Sequence, residues 1–178
     1  ATIAKEKGLE PLAEYIMAQD ALEDVAVKAA SFVSDEEGKE VPTPQDAITG
    51  ALDIIAEQIS DVADYRTYIR DITMKEGSIK AVAKDEKAAS VYENYYDYEE
   101  KLATIPGHRI LALNRGEAEK FLTVKIEAPE ERIIRYLEKS LLTSDNEFTT
   151  PLIKEAVQDA YDRLIAPAID REIRNILT

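Results

Sequence analysis

Apolar side chains recur every three or four positions along most of this chain and alternate with polar ones in only two short runs. The first spacing buries one stripe of an α-helix, and the second buries one face of a strand. Residues 9–33 read as helical, with Leu9, Leu12, Tyr15 and Ile16 on one stripe and Pro11 in the first turn, where a missing N–H is harmless. Asp20 is placed to cap a second helix whose apolar face holds Leu22, Val25, Val27, Ala29 and Phe32. The stretch SDEEGKEVPTP then breaks the pattern with glycine, prolines and charge. Thr43 can cap the next helix, with Pro44 first and Asp46 third, and a stripe of Ala47, Ile48, Ala51, Leu52, Ile55 and Ile59. Another helix starts at Asp61 or Asp64, carries Tyr65, Tyr68, Ile69, Ile72 and Met74, and stops at Gly77.

SIKAVAK, from Ser78, and FLTVKIEA, at 121–128, are the alternating runs and predict two strands. Two strands cannot bury a sheet alone, so they are expected to pair under a cover of helices. Between them lies a tyrosine-rich stretch and a helix over 105–115. After Pro129, residues 130–142 are amphipathic through Ile133, Ile134, Leu137 and Leu141. TSDNEFTTP is a loop, and 151–177 is a last long helical region that Pro167 should bend or divide. The fold class is therefore mainly α: a bundle-like, multi-helix unit with a small two-stranded β-hairpin enclosing a Tyr-rich helical insertion. Residues 1–178 form one unit with subregions 1–77, 78–128 and 129–178. Both ends read as middles of longer stretches, so a piece of a longer protein is expected.

Four of the nine tyrosines (Tyr92, Tyr95, Tyr96 and Tyr98) and the single histidine fall within 92–117. Pro106 suits a helix start, and Gly116 suits a helix end, where a left-handed residue is common. His108 and Arg115 are seven apart and share a helix face. Two readings compete. In one, His108, Arg109, Asn114 and Arg115 form a donor-rich surface for phosphate or a neighbouring domain. In the other, they satisfy internal carboxylates and carbonyls, a task suited to the rigid fork of arginine. The tyrosines read as packing wedges, since Glu93, Asp97, Glu99 and Glu100 beside them would repel a phosphate backbone.

Charge and composition narrow the function. A net charge of −14 argues against a free-standing nucleic-acid binder, although a local basic patch through Arg109, Arg115, Lys120 and Lys125 would serve one. There is no cysteine, which removes disulfides and thiolate metal sites. No run of 18 apolar residues is present, so no membrane partner is expected. No glycine-rich phosphate loop, HExxH, GxSxG or EF-hand loop is found. A lone histidine is a poor zinc site. No catalytic, cofactor or metal residues are therefore expected, and a metal-dependent nucleic-acid hydrolase would need carboxylates brought together from distant positions.

YYDY at 95–98, IPGHR at 105–109 and ALNRGE at 112–117 together resemble a phrase of the bacterial Tex family of transcription accessory proteins. TIAKEKGLEPLA at 2–13 and YDRLIAPAIDREIRN at 161–175 extend the resemblance over essentially the whole chain. Gly107 stands where the family more often has serine. The resemblance implies a helical region lying before an RNase H-like domain of the YqgF type, in a cytoplasmic protein that also carries helix-hairpin-helix and S1 modules. It implies a non-catalytic scaffold whose partners are those remaining domains, nucleic acid (DNA or RNA) mainly through them, and the transcription machinery. The residues matching the phrase are Tyr96, Asp97, Tyr98, Pro106, His108, Arg109, Arg115, Gly116 and Glu117, with Asn114 beside them. Their implied role is to organise this region and its contacts.

Overall fold

Thr43 behaves as its position demands. Its hydroxyl accepts the Asp46 N–H at 3.1 Å and donates to the Asp46 carboxylate at 2.7 Å, and Pro44 opens the helix. In the computed structural model, which describes residues 1–178, this helix is α4, Pro44–Ser60. It follows α1 (Thr2–Glu6), α2 (Glu10–Met17) and α3 (Val25–Ala29). The remaining elements are α5 (Ala63–Glu76), β1 (Ser78–Ala83), β2 (Asp97–Lys101), α6 (Gly107–Ala118), β3 (Leu122–Glu127), α7 (Glu130–Leu141), α8 (Thr150–Asp159) and α9 (Ala166–Leu177). A π-helical segment, Ala160–Ile165, joins α8 to α9. The chain divides into two units, one of residues 1–65 and 134–165, the other of 66–133 and 166–178.

The first unit is organised on α4. All six residues of its expected stripe are buried, together with Ile54 and Ala56. Helices α1, α2, α3 and α8 and the π segment all pack against it. Burying its five large aliphatic side chains contributes on the order of 10 kcal/mol before the entropic cost of ordering them. Two helices form within 9–33 as expected, but the second starts later than Asp20. Asp24, not Asp20, is the cap, accepting the Ala26 N–H at 2.8 Å, and only Val25 and Ala29, one helical turn apart, face the core. Leu22 (94% exposed) and Val27 (56% exposed) leave the predicted stripe for solvent. The intervening turn is held by Gln19, which is buried and left-handed at φ 59°. Its side-chain amide donates to Leu141 O at 2.9 Å and accepts Thr143 N–H at 2.9 Å, while Ser144 Oγ donates to Gln19 O at 2.8 Å.

The second unit is organised on β1, the middle strand of an antiparallel sheet of order β2-β1-β3. The two expected strands do pair, with Ala81 opposite Val124. The sheet is larger than the expected two-stranded hairpin, because DYEEK of the tyrosine-rich stretch forms a third strand with Tyr98 opposite Ala81. Asp, Glu and Lys are poor strand formers, but an edge position with one exposed face tolerates them. Ile79, Ala81, Leu122 and Val124 are buried on the inner face, and α6 packs on β3. Gly77 ends α5 as expected. The long C-terminal helix is divided at Pro167 as expected, and the π segment ends one residue before Ala166. A proline there lacks the N–H and its ring would strike the carbonyl of residue 163 in an unbroken α-helix; the wider turn absorbs both.

Candidate functional site

The tyrosine-histidine-arginine segment forms β2, α6 and the turns around them, and its polar groups are largely engaged with one another. Tyr98 and Arg109 both donate to Oε1 of Glu100, the arginine at 2.8 Å, and the ring of Tyr98 meets that of Tyr95 edge to face with centroids 5.1 Å apart. Burial, then the bond to Glu100, raises the pKa of Tyr98. The Tyr98 hydroxyl, then Arg109, lowers that of Glu100. The Arg109 bond ties α6 to β2, and the Tyr98 bond, made within β2, orients the carboxylate that receives it.

Four other tyrosine contacts close the same region. The Tyr96 hydroxyl donates to Ala88 O at 2.6 Å and pairs with Ser90 Oγ at 2.8 Å, pinning the turn before β2. Tyr92 is buried, donates to Glu119 and packs on Phe121 with ring centroids 5.9 Å apart. The bond to Glu119, then burial, raises its pKa. Gly116 lies inside α6, which runs on to Ala118, so it is not the helix terminus the sequence suggested. A Cβ at Gly116 would stand 2.4 Å from Leu122 Cδ1 and 3.3 Å from Tyr92 Cδ1, so the residue is small to let β3 and Tyr92 close on the helix. The left-handed residue after α6 is Lys120, at φ 67°.

The remaining candidates separate. Asp97 is exposed at the start of β2, and Pro106 immediately precedes α6. His108 and Arg115 are exposed on α6, Asn114 is half-buried, and Arg109 is the one of these four in an ion pair. Glu117 accepts from Arg174, a residue that sequence reasoning misses. Arg174 on α9 also donates to Asp170, at 3.0 Å, and to the backbone oxygen of Val124 on β3. One guanidinium thus ties α9, α6 and β3 together. Burial opposes its charge, but Glu117 and Asp170 outweigh that and its pKa is raised. The i,i+4 spacing of Asp170 and Arg174 is the only sequence signal for it.

Charge is distributed unevenly. The first unit holds 8 Lys and Arg against 21 Asp and Glu, a net charge of −13, and the second 14 against 15, a net charge of −1. The acidity of the chain therefore resides in the α4-centred unit, and the unit carrying the candidate segment is nearly neutral. No group of three or more His, Cys, Asp or Glu side chains is arranged to hold a metal ion. No helix is long and apolar enough to cross a membrane.

The unit with the three-stranded sheet thus holds Tyr92, Tyr96, Tyr98, Arg109 and Arg174 in internal bonds. Residues 20–178 match the family model described as Tex central region-like. The chain belongs to that family, and the recognised resemblance holds at family level. It is 47% identical over 181 residues to the protein YdcI of Bacillus subtilis (strain 168), covering 100% of this chain and 25% of that protein. It is 37% identical over 128 residues to Protein tex of Bordetella pertussis, covering 71% of this chain and 16% of that protein. Human S1 RNA-binding domain-containing protein 1 is 29% identical over 154 residues, covering 79% of this chain and 16% of that protein. The chain thus spans a quarter or less of the relatives it matches.

Proposed function

We propose that this chain is a non-catalytic scaffold region of a Tex-like transcription accessory protein, one that positions nucleic-acid-binding domains lying elsewhere in the polypeptide. The observation that carries this reading is the bonding of Arg109 and Arg174: one guanidinium is committed to Glu100, the other to Glu117, Asp170 and Val124 O. Donors spent on holding strands and helices together are not available to a substrate. Relatives named for transcription accessory function and for an S1 RNA-binding domain support the same assignment. In this reading the region precedes the RNase H-like domain, works in the cytoplasm, and meets nucleic acid and the transcription machinery through the rest of the protein.

A second reading is a direct nucleic-acid-binding module. It is favoured by the near-neutral balance of the second unit, where Lys80 and Lys125 are cross-strand neighbours and His108 and Arg115 stay exposed. Titration of labelled single- and double-stranded oligonucleotides into this chain and into the full-length protein, across salt concentrations, separates the two. The scaffold reading expects salt-dependent binding by the full-length protein only. Comparable binding by the isolated chain, lost in Arg115→Ala, would overturn it in favour of the second.

A further inference from the structure

The internal bonding of the candidate segment leaves the outer face of α6 unused. Ile110, Leu113 and Gly116 are the buried residues of this helix. His108, Leu111, Arg115 and Ala118 follow one another at helical spacing on the opposite side, and all four are exposed. Leu111, within this stripe, is 54% exposed. A Cβ at Gly107 would meet nothing within 4 Å, so the start of the helix is open as well. Arg115 is free in a unit whose arginines are mostly paired. Arg66, Arg70, Arg109, Arg132 and Arg174 each lie within 4.0 Å of a carboxylate, and of the unit's seven arginines only Arg115 and Arg171 do not. The natural i,i+4 partner of Arg115 is Glu119, but Glu119 accepts from the Tyr92 hydroxyl instead. A guanidinium without a carboxylate thus stands one turn from a leucine with half its surface in water.

We propose that this stripe receives an acidic amphipathic helix of a partner protein, one with an apolar residue between two carboxylates. The fit is one of charge and of spacing. His108 and Arg115 are seven residues apart, about 10 Å along the helix axis. A second helix lying along α6 presents carboxylates seven residues apart at the same interval, with the residue four after the first on the same face. One carboxylate would meet the Arg115 fork and the other the imidazole of His108, while the apolar residue covers Leu111. Gly107 and Ala118 are small at the two ends of the face and let a partner backbone approach. A single-stranded nucleic acid is disfavoured, since such strands stack on aromatic rings interleaved with cations, and this face carries an aliphatic anchor instead. A contact of three helical turns is smaller than the interface of a stable complex, so the partner is a transient one. The assignment rests on the scaffold reading, because a nucleic-acid-binding module would claim the same His108 and Arg115.

The test is an NMR titration of the isotope-labelled chain with a helical peptide of about 18 residues, carrying glutamates seven apart and a leucine four after the first. Amide shifts should centre on α6, with a dissociation constant of about 0.1–1 mM. Arg115→Glu should weaken binding about tenfold and Leu111→Ser about fivefold. The control is Lys75→Glu, the same change of charge at an exposed position on α5, and it should cost less than about twofold. A peptide with lysines in place of its glutamates should bind Arg115→Glu more tightly than it binds the parent chain. Equal losses in Arg115→Glu and Lys75→Glu, no loss in Leu111→Ser, or shifts that avoid α6 would each overturn the proposal. A single-stranded RNA oligomer added to the same samples separates the possible failures. RNA that shifts the α6 amides and displaces the peptide overturns this proposal and the scaffold reading together, whereas no response to millimolar peptide or to RNA overturns this proposal alone. Far-UV circular dichroism checks the fold, and Arg115→Gln repeats the test if the reversal unfolds the chain; a folded Arg115→Gln that binds as tightly as the parent counts against the stripe.

Discussion

Replacing Gln19 should expose how much stability one left-handed residue holds. Its amide makes two long-range bonds at 2.9 Å, to Leu141 O and from Thr143 N–H. Gln19→Ala leaves a part-buried acceptor and a part-buried donor without their protein partner, each worth about 0.5–1.5 kcal/mol. The loss is therefore about 1–3 kcal/mol, a sizeable fraction of the stability of an ordinary domain. The left-handed backbone costs alanine what it costs glutamine, so that contribution cancels. Glycine is free of it, and Gln19→Gly should be more stable than Gln19→Ala by about 1 kcal/mol although it loses the same bonds. Thermal unfolding followed by circular dichroism should show Gln19→Ala melting about 3–9 °C below the parent. Hydrogen exchange should show the Thr143 amide losing protection in both variants. A Gln19→Ala protein within about 0.5 kcal/mol of the parent, or one more stable than Gln19→Gly, would refute the reasoning.

Gly77→Ala should destabilise more than Gly116→Ala in urea unfolding, because a Cβ at 77 meets the backbone oxygens of Thr73 and Glu127 at 2.5 and 2.7 Å, whereas at 116 it meets the Leu122 side chain; overpacking at Gly116 should cost about 1–3 kcal/mol. Arg174→Lys keeps the charge but cannot serve Glu117, Asp170 and Val124 O together, so the melting temperature should fall and amide exchange along β3 should rise. For Tyr98 the raised pKa means its contribution is full below the ordinary tyrosine value, about 10, and is lost as pH climbs through the folded value. For Glu100 the lowered pKa means a contribution present above the ordinary carboxylate range and lost as pH falls through the folded value. Tyr98→Phe should flatten the alkaline limb of the stability profile and also shrink the acid-side contribution of Glu100, whose carboxylate loses the Tyr98 hydroxyl, as measured by denaturant midpoints across pH.

Local chemistry makes α4 legible from the amino acids alone: Thr43, Pro44 and Asp46 act within one turn, and the stripe behind them repeats at helical spacing. The pairing of β1 with β3 is legible for the same reason, since alternation survives wherever one face is buried. What escapes depends on distant partners. The DYEEK strand forms because β1 offers it a free side, a fact no local propensity records. Gly116 looks like a terminus because glycine is common there, but its reason is the approach of Leu122 and Tyr92. Arg109 is legible as an internal fork, while Arg174 escapes because two of its acceptors lie 57 and 50 residues away. The turn at Asp20 misleads because Leu22 and Val27 continue a helical spacing that the Gln19 latch overrides.

The sheet has two margins, and they are finished differently. On β3, Ala81 opposite Val124 is a non-bonded pair, because Lys84 N–H reaches Phe121 O at 3.0 Å and bonding alternates from there. The Val124 carbonyl therefore points away from β1, and Arg174 occupies it. On β2, the bond from Leu102 N–H to Gly77 O at 3.1 Å sets the alternation that leaves the backbone of Asp97, Glu99 and Lys101 outward, under charged side chains. A fourth strand recruited from another molecule would have to displace a guanidinium on one side or desolvate the charged side chains of Asp97, Glu99 and Lys101 on the other. Both margins thus oppose edge-to-edge growth of a sheet whose flank carries the exposed Val82 and Val91.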